Sequence, residues 1–168
     1  MKQLLRATAL VLAALATTSC ATSSLIQVWR DPNYRPAPVK RVLVVGVIPY
    51  AGDRLAFENA VAQAFIKQGF EVATSSGFVP PGQSDNSKIV AYMREMGVDL
   101  VVVLRLVTPN GAWFGATDMN VYAAKTNSEW PVWSGTTTTS NFSSAQDAAT
   151  SVAASLLYGL IKANILVR

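Results

Sequence analysis

The sequence predicts a single α/β domain built on a mixed β-sheet, with an α+β arrangement as the alternative. Three observations predict it. Two β-branched apolar runs, "RVLVVGVIP" from Arg41 and "VDLVVVLRLVT" from Val98, have the length and composition of strands buried on both faces. The segments between them repeat their apolar residues at a helical period, so strand and helix alternate as β-α-β-α-β, the order that favours parallel pairing with right-handed crossovers. After Pro109 the chain changes to two strand-like stretches forming a hairpin and a closing helix, completing a domain of two or three layers.

Each element has its own signal. "LIQVW", residues 25–29, reads as a first strand, with Leu25, Gln27 and Trp29 on one side and Ile26 and Val28 on the other. "RDPNYRPAPVK" carries three prolines in eleven residues and is an irregular connector. Pro49 and Gly52 end the Arg41 run, and Asp53 is placed to cap the next helix. That helix covers 54–68, with Phe57, Val61, Ala64 and Phe65 as a stripe and Leu55, Ala62 and Ile66 beside it. Gly69 stops it, and "GFEVATS" continues as a short strand. A polar loop leads to a second amphipathic helix marked by Ile89, Met93 and Met96 and ended by Gly97.

Beyond the Val98 run, "PNGAWFGATD" is a loop, and "MNVYAAKT" and "WPVWSGTTTTS" form antiparallel strands around "NSE". The threonines 136–139 suit a half-exposed strand, either a plain solvated strand or an edge that accepts another strand. In the last helix, from about Ser144, Ser144-Ala145-Gln146-Asp147 resembles a capping box with aspartate in the place of glutamate. Val152, Ala153, Leu156, Leu157, Leu160 and Ile161 form its apolar face, and Trp130 and Trp133 are expected to pack on it.

The N-terminus is of another kind. "MKQLLR" is a short basic segment and "ATALVLAALA" an apolar one of ten residues, the layout of a secretory signal peptide. Thr17-Thr18-Ser19-Cys20 resembles the lipobox of bacterial lipoproteins, although Thr17 stands where that motif usually has leucine. The resemblance implies residues 1–19 as a signal peptide, acylation of Cys20, a short tether over 20–24 and a periplasmic domain over 25–168. Ala21, in place of aspartate, implies the outer membrane of a Gram-negative cell. The rival reading is cleavage after Ala14-Leu15-Ala16, which would leave Cys20, the only cysteine, as a free thiol.

Composition excludes more than it identifies. The 14 basic and 10 acidic residues give a net charge of +4, but losing Lys2 and Arg6 with the signal peptide leaves 12 against 10, a net of +2. Without a Lys/Arg cluster, the footprint of a nucleic-acid binder is missing. With no histidine and one cysteine, neither a zinc site nor a histidine-based catalytic triad is expected. Nothing calls for a metal or a cofactor, and no enzyme activity is expected. "GVIPYAG" has two glycines between strand and helix but lacks the spacing and the Lys-Ser/Thr of a phosphate loop.

The stretch "WRDPNY…KRVLVVGV…RLAFE", with "PVWSGTTT" before a final amphipathic helix, resembles small proteobacterial outer-membrane lipoproteins of unknown function. The layout is similar to the α/β domains of the TolB N-terminus and of outer-membrane lipoproteins that activate cell-wall synthases or form secretion channels. The resemblance implies a periplasmic module that binds other envelope components, and it assigns no catalytic residue.

Two sets of side chains are candidates for function. Arg54 and Glu58 fall inside the apolar arc of their helix at i, i+4 spacing, at the carboxyl edge of the sheet where α/β folds bind ligands. They are either an anion or polar-ligand site or an ion pair that completes the helix–sheet junction, with Arg105 nearby. Trp113 and Phe114 lie in a glycine-flanked loop and either anchor a partner or membrane surface or fold back over the sheet edge. The sequence therefore points to a non-enzymatic outer-membrane lipoprotein, tethered through Cys20, that binds or helps assemble envelope components. A subunit of a homo-oligomeric envelope complex is the alternative, and a small-ligand or hydrolytic site at Arg54 and Glu58 is a third reading.

Overall fold

The computed structural model describes residues 21–79, 91–93, 95–107, 115–125 and 130–167. The strands are β1 (Thr22–Arg30), β2 (Arg41–Val47), β3 (Glu71–Thr74), β4 (Leu100–Val107), β5 (Ala116–Ala123) and β6 (Trp133–Ser140); the helices are α1 (Ala51–Lys67) and α2 (Ala145–Lys162). The six strands form one sheet in the order β1-β6-β5-β4-β2-β3. β2 pairs in parallel with β3 and β4, and every other pairing is antiparallel. This is the mixed α/β sheet, hairpin and C-terminal helix that the sequence predicts.

Both labelled helices cover one face. Phe57, Val61 and Phe65 of α1 and Val152, Leu156 and Leu160 of α2 pack on Val44, Val102, Leu104 and Met119 of the sheet in one continuous core. Among the described residues the other face is covered over β2 and β4, where Leu43, Val45 and Val101 meet Tyr92 and Met93 of the helical residues 91–93. Phe78 stacks on Tyr92 there, with centroids 4.2 Å apart. The domain is thus three layers thick on one side and two on the other. Met93 and Met96 lie in the expected second helix; Ile89 lies outside the described residues.

The helix ends follow from local chemistry. Gly69, at φ 86°, lets α1 finish with N–H groups of Gly69 and Phe70 on the carbonyls of Ile66 and Phe65, while the Phe70 ring meets Phe65 edge-on at 5.7 Å. Asn164, at φ 53°, plays the same part for α2. Ser144 caps α2 by accepting the N–H of Asp147, but the Asp147 carboxylate accepts from the N–H and hydroxyl of Ser143, one residue before the cap. α1 begins earlier than expected: Tyr50 stands at its N-cap position and makes no side-chain capping bond to the helix, and Asp53 lies inside the first turn.

Four further expectations are corrected. A bulge between Leu25 and Gln27 shifts the register of β1 on β6, so Leu25 faces the helices with Thr137, whereas Gln27 and Trp29 face the other side with Thr136 and Ser134. Trp133 is fully buried against α2, but Trp130 is 78% exposed because it precedes β6 and stands beyond the sheet. Leu55, Ile66 and Ile161 are exposed, since each lies on the flank of its helix turned away from the sheet. Thr137 and Thr139 are buried and Thr138 exposed, as in a half-exposed strand, yet β6 is no edge: β1 lies on it.

Candidate functional site

Arg54 and Glu58 are brought together under the sheet by the first two turns of α1. Glu58 Oε1 accepts from the N–H of Gly46 at 2.7 Å, from Arg54 Nε at 3.1 Å and from the Ser75 hydroxyl at 2.6 Å, and its Oε2 accepts from the N–H of Ser76 at 2.8 Å. A second guanidinium nitrogen of Arg54 donates to Ser75 Oγ at 2.9 Å and to the Val79 carbonyl at 3.2 Å. A carboxylate has about four acceptor positions, and here four donors reach it, three at Oε1 and one at Oε2. Glu58 has no exposed surface, and Arg54 and Ser75 are buried too.

The closeness is possible because residue 46 is glycine. A Cβ there would stand 3.0 Å from Arg54 Cγ and 3.1 Å from Glu58 Oε1. The network clasps β2, α1 and the 3-10 turn Ser75–Gly77 into one junction. The sequence showed the charged pair but not Ser75, Ser76 and Gly46, whose arrival depends on where the turn after β3 lands.

Arg105 does not join them. In β4 it follows Leu104, which is buried on the helix side in register with Gly46, so alternation turns Arg105 to the opposite face. There it is exposed, in register with Val47 and Asp118, and makes no ion pair among the described residues.

That opposite face is the more open part of the molecule. Over β5, β6 and β1 it carries Asp118, Asn120, Ser134, Thr136, Gln27 and Trp29, which line a shallow groove of about 340 Å³. The Thr136 hydroxyl donates to Asp118 at 2.7 Å across the strands. The groove is bounded by β1, on whose outer side no strand lies among the described residues. The first half of that edge is touched by α2, where the Ser155 hydroxyl donates to the Ser23 carbonyl at 2.8 Å. The second half is bare: Ile26 and Val28 are each 55% exposed and Trp29 47%.

Cys20, Trp113 and Phe114 lie outside the described residues. β1 begins at Thr22, three residues before the expected start of the domain, and so only Ala21 separates it from Cys20. Among the described residues no group of His, Cys, Asp and Glu could hold a metal ion, and no helix is long and apolar enough to cross a membrane.

No family model matches the chain, and no curated protein matches it in sequence. Among solved structures it is similar to the PelC dodecamer from Paraburkholderia phytofirmans, with a TM-score of 0.55 and 16% identity over 83% of this chain and 97% of that one. A variant of the same dodecamer gives 0.53 and 18% over 80% and 98%. Lipoprotein GNA1162 from Neisseria meningitidis aligns with a TM-score of 0.42 and 14% identity over 74% and 97%. The likeness to PelC is one of fold. It takes in nearly the whole PelC chain, so the domain is shared as a unit and not as a fragment.

Proposed function

We propose that this protein is a non-enzymatic lipoprotein of the Gram-negative envelope, held to the outer membrane by acylated Cys20, whose domain assembles with envelope components through the β1 edge. The observation that carries the reading is the contrast between the two edges of the sheet. β3 is four residues long, and its first residue, Glu71, is bridged by Lys40 at 3.3 Å and Arg41 at 2.9 Å. Short length and charge are the usual means of keeping an edge from pairing. β1 is nine residues long and presents Ile26, Val28 and Trp29 instead. The exposed half of that edge suits a strand or apolar surface from a partner.

The structural reading of Arg54 and Glu58 is supported by the burial of both side chains and the four donors that reach the Glu58 carboxylate. The tether is supported by the sequence before Thr22. A second reading, self-association, draws on the same β1 edge, and the similar PelC is a dodecamer.

The test is an intact mass of the protein extracted from membranes with detergent, beside Cys20→Ser, followed by native mass measurement of the complex. A chain starting at Cys20 with added acyl mass, in a complex larger than one chain, is the expected result. Cleavage after Ala16 with an unmodified thiol would sink the tether, and a monomer without partners would sink the assembly.

A further inference from the structure

The start of β1 marks one end of the molecule. β1 runs opposite to β2, β4 and β6, so Thr22 lies at the end where those three strands finish and where α1 and α2 begin. The exposed residues there include Tyr50, the N-cap of α1; Leu55 in its second turn; and Val107, the last residue of β4. Arg105, exposed and without an ion pair among the described residues, is two residues below Val107 on the same face.

The opposite end is different in kind. Lys40, Arg41, Glu71, Asp99 and Lys125 form a linked charge cluster where β2 and β4 begin, and the helices close on Lys67 and Lys162. Among the described residues the charged groups near Thr22 are Arg105, its cross-strand neighbour Asp118, Asp53 and Asp147 in the first turns of the helices, and the buried Arg54–Glu58 pair.

We infer that the end of the domain bearing Tyr50, Leu55 and Val107 rests in the headgroup layer of the lipid bilayer. The inference rests on the tether reading, and the geometry of that tether drives it. From Cys20 to Thr22 the chain reaches at most about 7 Å, and the headgroup layer on one side of a bilayer is about 5–7 Å deep. An acylated Cys20 at the hydrocarbon boundary therefore holds Thr22 within the headgroups. Tyrosine and aliphatic side chains are stable there, and a flanking arginine can keep its guanidinium at the lipid phosphates. The charge cluster then faces away from the lipid, and the exposed Ile26–Trp29 stretch of β1 lies at the side.

The test uses the full-length chain carrying one added cysteine, Tyr50→Cys, Val107→Cys or, at the far end, Arg35→Cys. Each is labelled with a polarity-sensitive dye and reconstituted in vesicles of phosphatidylethanolamine and phosphatidylglycerol containing a brominated lipid; intact mass reports acylation in the same samples. Quenching at positions 50 and 107 about twofold or more above that at 35 is expected. In acylated protein, equal quenching at all three positions overturns the docking and leaves the tether standing. A blue-shifted but unquenched dye at 50 also overturns it, by showing that protein covers this end. If the mass shows no acylation, the tether fails separately, and the same comparison on Cys20→Ser protein still decides the docking: quenching supports it and its absence overturns it.

Discussion

Gly159 of α2 lies directly against the indole of Trp133, with no room for a methyl group between them: a Cβ on Gly159 would stand 2.8 Å from Cζ2 of the ring and 3.0 Å from Leu25 Cδ1. Two effects oppose each other in Gly159→Ala. Alanine is favoured over glycine inside a helix by about 1 kcal/mol, but overpacking a rigid buried ring costs about 1–3 kcal/mol. Trp133 is fully buried and cannot swing aside, so the second effect wins. Gly159→Ala should lower stability by roughly 1–2 kcal/mol in urea unfolding. Adding Trp133→Phe should cost less in that background than in the wild type, and strictly additive losses would disprove the steric account.

The Arg54–Glu58 network should behave as a structural junction. Removing one member of a buried ion pair typically costs about 3–5 kcal/mol because the other charge is left uncompensated. Glu58→Gln and Arg54→Met should each fall in or near that range by denaturant unfolding. Arg54→Met with Glu58→Leu should recover only part of the loss, since the N–H groups of Gly46 and Ser76 and the Ser75 hydroxyl would lose their acceptor. Single variants with unchanged stability would remove the structural account and reopen a binding role.

The charge cluster at the far end sets how stability responds to pH. Hydrogen bonds from Arg41 and then Lys40 hold the Glu71 carboxyl below its ordinary value. For Asp99, burial pushes upward, but bonds from Lys125 and from the N–H groups of Arg41 and Lys40 together outweigh it, and the net shift is downward. A carboxylate with a lowered folded pKa contributes stability above its unfolded value, about 4, and loses that contribution as pH falls through the folded one. Tyr34 is the opposite case: burial, only partly offset by the Ala37 backbone and Arg30, raises its pKa, so its contribution is complete below about 10 and is lost as pH rises beyond. Unfolding midpoints should therefore be flat near neutrality and fall at both extremes. Asp99→Asn should make the acid limb shallower and leave the alkaline limb in place.

Much of this was legible in the sequence, and the rest was not for identifiable reasons. The runs at Val42–Val45 and Leu100–Leu104 declared buried strands because no polar residue interrupts them. Arg54 and Glu58 declared themselves by lying inside an apolar arc. The placement of Arg105 depended on the register of β4 against Gly46, which periodicity alone does not supply. The bulge that separates Leu25 from Gln27 arises from pairing with Thr137 and Thr136, about 110 residues away, and nothing local in "SSLIQVW" announces it. Ser75 reads as an ordinary loop serine until the turn after β3 carries it beneath α1.

The bulge has a consequence for the exposed edge. It leaves Ile26 and Val28 exposed on the outermost strand, where neither supports the core. Surface substitutions of this kind usually change stability by no more than about 0.5 kcal/mol, whereas charge on an edge strand opposes pairing with another chain. Ile26→Lys combined with Val28→Lys should therefore leave the unfolding midpoint nearly unchanged while shifting the native mass of the detergent-solubilised complex toward a single chain. Ile66→Lys, at an exposed apolar position near the end of α1 and away from the edge, is the control and should leave the complex intact. If both variants dissociate alike, the loss reflects general surface charge and β1 is not the contact. If neither dissociates, assembly runs through another surface.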